Sequence, residues 1–207
     1  MNDQPGLKAL VLNCTLKPSP SESNTEALAA VVIEALTERG VEPELVRVVD
    51  HDVRPGVTID EGDGDDWPAI VEKVLAADIL VIATPTWLGK PASVTQRVME
   101  RMDALLSETD EQERPVAYNK VAGVVVTGNE DGAHHVIGET AGSLIDIGYT
   151  VPGQAWTYWN RGPGPGPSYR ETEEGKDWSH KTARAAASNL VAVARALKAT
   201  PIPPPPA

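Results

Sequence analysis

Apolar and polar positions along the chain fall into blocks that predict strands and helices in turn. Leu7 to Asn13 is a continuous apolar run, the pattern of a strand buried on both faces. The polar loop Cys14–Glu22 follows. Ser23 with Glu26 has capping-box spacing and starts a helix to about Arg39, and Gly40 sits where a helix-ending glycine belongs. Glu44–Val49 alternates as a half-buried strand. Asp50–Asp66 reads as an acidic, solvated and mobile loop. Asp66 is placed to cap a short helix with Pro68 in its first turn, ending near Ala77. Ile79–Ala83 is a buried strand, Thr84–Pro91 a turn-rich loop, and Ala92–Leu106 a helix. Lys120–Thr127 is a strand, Gly128–Gly132 a loop, His134–Ile147 a helix and Thr150–Tyr158 a last strand. Arg161–Gly175 is a long Gly/Pro loop, Ser179–Leu197 an alanine-rich helix, and PIPPPPA a tail expected to be disordered.

Five strands alternating with five helices predict a three-layer α/β sandwich. Its core is a five-stranded parallel sheet of order 2-1-3-4-5 with helices on both faces. With 207 residues and no internal repeat, the expectation is one domain over 1–199 and a proline-rich tail over 200–207. The net charge of −12 argues against nucleic-acid or anionic-membrane partners, which need basic patches. No apolar stretch reaches bilayer length, and the N-terminus lacks a basic, cleavable leader, so the expected location is cytoplasmic. The one cysteine excludes a disulfide framework and any multi-cysteine metal site within the chain. Cys14 itself reads as a small buried or loop residue.

In such a sheet, ligands sit at the carboxyl ends of the strands where strand order reverses. Three loops meet there. The first, NCTLKPSPSESNT, carries hydroxyls, an amide and Lys17 into a helix N-terminus. It is either a solvated cap or an anion site, and its position directly after the first strand favours phosphate. The second, TPTWLGKP, makes a tight turn from which Trp87 projects, as a stacking wall or as a hydrophobic plug. The third, TGNEDGAHH, has glycines that let backbone approach a ligand closely. Gly-x-Gly-x-x-Gly, the P-loop signature, the acids of a receiver domain, Gly-x-Ser-x-Gly and His-Glu-x-x-His are all absent. Trp156 and Tyr158 should share a strand face with Trp159 at the lip. They either pack the core or form a lid, with Arg161 available for a nucleotide phosphate.

Together the three loops resemble the flavodoxin-like flavoproteins, and more closely their NADPH-dependent FMN reductase and quinone reductase branch. Ser23-Asn24-Thr25 matches the second half of that family's first loop. In the first half Cys14 stands near the family's serine and Lys17 near its arginine. DILVIATPTWLGKPASVTQRVMERMD looks like the second loop with its helix, and GVVVTGNEDGAH like the third. The likeness covers residues 7–160. It implies non-covalent FMN, with phosphate on Thr15, Lys17, Ser23, Asn24 and Thr25. The ring would lie on Pro85, Thr86, Trp87, Leu88 and Gly89, facing Thr127, Gly128, Asn129 and Gly132. His134 or His135 would stabilise the reduced ring or position an acceptor, and no side chain need act as acid or base. The implied activity takes hydride from NAD(P)H and passes electrons to a flavin, quinone or similar small acceptor, in a homodimer or homotetramer. The alternative is a flavodoxin-type FMN electron carrier that docks on a redox partner.

Overall fold

A computed structural model describes residues 6–162 and 166–206. Sequence readings that fall on residues 1–5, 163–165 and 207 lie outside the described residues. The strands are β1 (Leu7–Asn13), β2 (Val41–Arg47), β3 (Ile79–Trp87), the two-residue β4 (Lys90–Pro91), β5 (Val121–Gly128) and β6 (Trp156–Asn160). The helices are α1 (Asn24–Thr37), α2 (Trp67–Ala76), α3 (Ser93–Met102), α4 (Ala133–Ile147) and α5 (Lys176–Ala199). β2-β1-β3-β5-β6 form a parallel sheet. That is the expected 2-1-3-4-5 order once β4, an antiparallel partner of β3 only, is set aside. The fold is flavodoxin-like.

Strand alternation sorts the apolar residues into two layers. Leu10, Leu12, Leu80, Ile82, Val124 and Val126 pack with Ile70, Val98, Met102, Val136 and Leu144 of α2, α3 and α4. Ala9, Val11, Val81, Ala83 and Val125 pack with Leu28, Val32, Ala187 and Leu190 of α1 and α5. Helices therefore cover both faces, and the carboxyl ends of β1, β3 and β5 open on one side.

Several details differ from the sequence reading. β2 begins at Val41 rather than Glu44, because an edge strand tolerates Pro43. β3 runs on to Trp87, since Thr86 and Trp87 pair with Pro91 and Lys90. Leu88 (φ 51°) and Gly89 (φ 71°) make the left-handed two-residue turn between those strands. α3 ends at Met102, and Asp103–Ser107 continues as tighter 3₁₀ turns. Thr150 makes only an isolated bridge to Val121, and a turn at Pro152–Ala155 delays β6 to Trp156. α5 starts earlier, at Lys176, after Gly175 in a left-handed conformation. Ser23 caps α1 through its hydroxyl (3.1 Å to the Glu26 amide), but the Glu26 carboxylate turns to Asn13 and Arg47 and leaves the box half made.

The acidic loop is bolted down rather than mobile. Arg101 is fully buried, donates to the carbonyls of Arg54 (2.9 Å), Thr58 (3.1 Å) and Ile59 (3.1 Å), and pairs with buried Asp65 at 2.7 Å. Burial alone would raise the Asp65 carboxyl. Arg101 and the amides of Glu61, Trp67 and Arg54 outweigh it and hold the group well below the usual range. Asp65, not Asp66, thus accepts from the Trp67 amide at the start of α2 (3.2 Å), while Asp66 accepts from the Asp52 amide (2.8 Å). At the other end, Ile202 is tied to the Asn119 side chain through its amide at 2.6 Å.

Candidate functional site

The three loops converge on a cavity of about 240 Å³ at the carboxyl ends of β1, β3 and β5. Thr15, Lys17, Asn24 and Thr25 line it from the first loop, Pro85, Thr86 and Trp87 from the second, and Thr127, Gly128 and Asn129 from the third.

The first loop is held from outside the cavity. Buried Asn13 accepts from the Thr15 amide (3.2 Å) and donates to Glu26 (2.9 Å). Arg47 at the end of β2 joins the same Glu26 oxygen (2.6 Å) and donates to the Ser21 carbonyl (2.8 Å). Sequence reasoning did not assign Glu26 or Arg47 to this support. At the α1 N-terminus, Ser23 occupies the amides of Glu26 and Ala27. Those of Asn24 and Thr25 have no partner among the described residues. A helix start with open amides attracts an anion. Lys17 is exposed and has no carboxylate within ion-pair distance among the described residues.

Thr25 on α1 and Thr127 on β5 bridge across the sheet by hydroxyl contact at 2.8 Å, which fixes the first loop against the third. Thr86 lies on the cavity wall, 4% exposed, and its hydroxyl has no hydrogen-bond partner among the described residues. Trp87 projects at the rim, 55% exposed, and so is not a buried plug. A Cβ on Gly132 (φ 106°) would stand 2.8 Å from the Gly89 Cα, and one on Gly128 would stand 2.9 Å from the Thr86 Cβ. Only glycine lets the third loop close on the second.

Five expected contacts do not line the cavity. Ser23 is buried and used as the helix cap. Leu88 is 92% exposed and lies outside the lining. Gly89 and Gly132 shape the turn and its packing. His134 sits in the first turn of α4, and its ring packs edge-on against Tyr158 (5.0 Å) and Trp156 (5.4 Å) instead. His135 reaches Glu139 at 3.1 Å. Trp159 is buried rather than at the lip: its indole N–H donates to the Glu174 carbonyl (2.7 Å) and its ring meets Tyr169 edge-on. Arg161 is paired with Glu174, so it is not free for a phosphate. Cys14 is buried, its thiol donates to the Leu12 carbonyl (3.7 Å), and burial pushes that thiol up to about 12.

Trp159, expected either in the core or in a lid, also lines the cavity, and three lining residues were not foreseen: Leu16, Ser168 and Tyr169. The last two lie on a single 3₁₀ turn whose capping box, Ser168 with Glu171, was readable as Ser-x-x-Glu.

Residues 7–162 match the NADPH-dependent FMN reductase family. The chain belongs to that family. Its members are flavodoxin-like FMN oxidoreductases. This member is 38% identical over 205 residues to the 8-demethyl-8-aminoriboflavin-5′-phosphate synthase of Streptomyces davaonensis, covering 94% of this chain and 80% of that one. It superposes with a TM-score of 0.86 and 39% identity on RosB with the bound intermediate 8-demethyl-8-formylriboflavin-5′-phosphate, covering 95% of this chain and 82% of that one. It is also 39% identical over 201 residues to a Mycobacterium bovis protein named divalent metal cation transporter MntH, covering 94% of this chain but only 29% of that protein. Among the described residues no helix is long and apolar enough to cross a membrane. The cavity fits the family's cofactor. A buried hydroxyl without a partner, two open helix amides and an aromatic rim suit a planar, polar-edged ring with a phosphate tail.

Proposed function

We propose that the cavity holds FMN non-covalently and that the chain oxidises NAD(P)H with it, delivering electrons to a small acceptor such as a flavin or quinone. The observation that carries this reading is the convergence of the α1 N-terminus, the unpartnered Thr86 hydroxyl and the exposed Trp87 on one cavity. When bound, the flavin supplies the hydride and electron chemistry. The residues position it. Thr15, Lys17, Asn24 and Thr25 would take the phosphate with the open amides of α1, and Ser23 would keep that helix start in shape. Pro85, Thr86 and Trp87 would take one side of the ring, and Thr127, Gly128 and Asn129 the other. None of these side chains needs to exchange a proton.

A second reading is favoured by the relative at 38% identity, named as a synthase of an aminated flavin phosphate. In that reading the flavin in the cavity is itself the substrate. One experiment separates the two. The purified chain is first tested for FMN binding, then incubated in air with FMN, NADH or NADPH and a mixture of amino acids as amine donors; nicotinamide absorbance is followed, and the recovered flavin is weighed by mass spectrometry. Nucleotide consumption with unchanged flavin mass supports the reductase. A changed flavin mass supports the second reading. Tight FMN binding with neither change leaves the electron carrier, and no FMN binding contradicts all three.

A further inference from the structure

Glu26 stands three residues after the Ser23 cap of α1. A carboxylate at that place ordinarily turns back and accepts from the amide of the cap residue itself. Here that return is not made, and the Ser23 amide has no partner among the described residues. One Glu26 oxygen instead accepts from the Asn13 side chain (2.9 Å) and from Arg47 through Nε (3.1 Å) and Nη2 (2.6 Å). Asn13 is fully buried, and the Arg47 side chain is 11% exposed. The remaining Arg47 nitrogen, Nη1, donates to the carbonyls of Ser21 (2.8 Å) and Lys17 (3.3 Å). A cation from the end of β2 thus holds both the carboxylate and the loop that precedes it.

The diversion of Glu26 has an electrostatic consequence. A carboxylate in the first turn suits the helix dipole, but it opposes any second anion brought to the same turn. The amides of Asn24 and Thr25 are open there, and both residues line the cavity. Arg47 cancels the Glu26 charge in a part-buried setting, where water screens it weakly. It also keeps the carboxylate off the Ser23 amide, so the helix start stays an uncovered cluster of donors.

We propose that Arg47 is a positioning residue for the anion end of the cavity: it holds Glu26 aside and neutralised, and so leaves the α1 entrance free for a ligand phosphate. The proposal rests on the reading that the cavity binds FMN, and it adds a residue of β2 that does not line the cavity. An ion pair that only braced the loop would be symmetrical, since losing either partner would loosen the same contact. In the proposed role the two partners act in opposite directions, because Arg47 favours the anion and Glu26 opposes it.

The test is calorimetric titration of the full chain with FMN in a double-mutant cycle: unaltered, Arg47→Met, Glu26→Gln and Arg47→Met/Glu26→Gln, with a thermal melt of each. Arg47→Met leaves Glu26 unpaired and should lower FMN affinity about tenfold. Glu26→Gln breaks the same ion pair yet should leave the affinity equal or higher. The double variant should recover to within about threefold of the unaltered chain. Unchanged affinity in Arg47→Met, a matching loss in Glu26→Gln, or a double variant no better than Arg47→Met each overturns the positioning role and leaves the flavin reading standing. If Arg47→Met fails to fold, Glu26→Gln decides alone: retained or raised affinity supports the role, and a tenfold loss overturns it. No FMN binding by the unaltered chain overturns the flavin reading and the proposal together.

Discussion

Replacing Thr86 by valine should move stability and flavin affinity in opposite directions. The Thr86 hydroxyl is buried in the cavity wall and has no partner among the described residues. A hydroxyl taken from water without a compensating bond costs about 1–3 kcal/mol. Valine keeps the branched shape, suits a strand, and removes that cost. The free chain should therefore gain about 1 kcal/mol of unfolding free energy, read from urea denaturation. With flavin bound, the hydroxyl gains a partner worth about 0.5–1.5 kcal/mol, so valine should weaken FMN binding about 2- to 12-fold. Titration by quenching of flavin fluorescence measures that loss. A valine variant that is less stable by more than about 1 kcal/mol refutes the claim that the hydroxyl is unpaired. Unchanged FMN affinity refutes the claim that it faces the ligand.

Four further outcomes follow from the same geometry. Gly132→Ala places a Cβ 2.8 Å from the Gly89 Cα at φ 106°, so the second and third loops should separate. The thermal midpoint should drop, reflecting about 1–2 kcal/mol of backbone strain plus the clash, and FMN affinity should fall with it. Arg101→Met leaves Asp65 buried without its cation and should cost about 3–5 kcal/mol in urea denaturation. The Asp65 pair stabilises the fold above the unfolded carboxylate value of about 3.9 and loses that effect as pH falls toward its depressed folded value, so the unaltered chain should weaken in acid more steeply than Arg101→Met/Asp65→Leu. The Cys14 thiol, raised to about 12, should resist a disulfide reagent at neutral pH until the chain is unfolded, and ready labelling of the folded chain would contradict its burial.

Much of this architecture is written in short-range pattern. The apolar runs of β1, β3 and β5 and the Ser23 cap are local signals, and the alternation of strand and helix yields the sheet order. The switch point then directs attention to three loops, and ten of the fifteen residues read from them line the cavity. What escaped depends on partners far apart in sequence. Arg101 carries no signal of its own in the sequence, yet it reaches back to Arg54, Thr58, Ile59 and Asp65 and orders a loop that composition alone marks as mobile. Arg47 supports the first loop from the next strand. His134 was misplaced because a helix start at the ligand loop is also a place where the neighbouring strand's aromatics can capture the ring. Ser168 and Tyr169 come from a segment whose Gly/Pro content hides its turn, although the capping box within it was visible.

The central claim is that these three loops form a flavin site, and retention of FMN tests it most directly. The purified chain is loaded with FMN, passed over a desalting column, and its visible spectrum is compared with its protein concentration. The account predicts one flavin per chain, with bands shifted from those of free FMN and fluorescence quenched beside Trp87. A chain that emerges colourless after loading contradicts it.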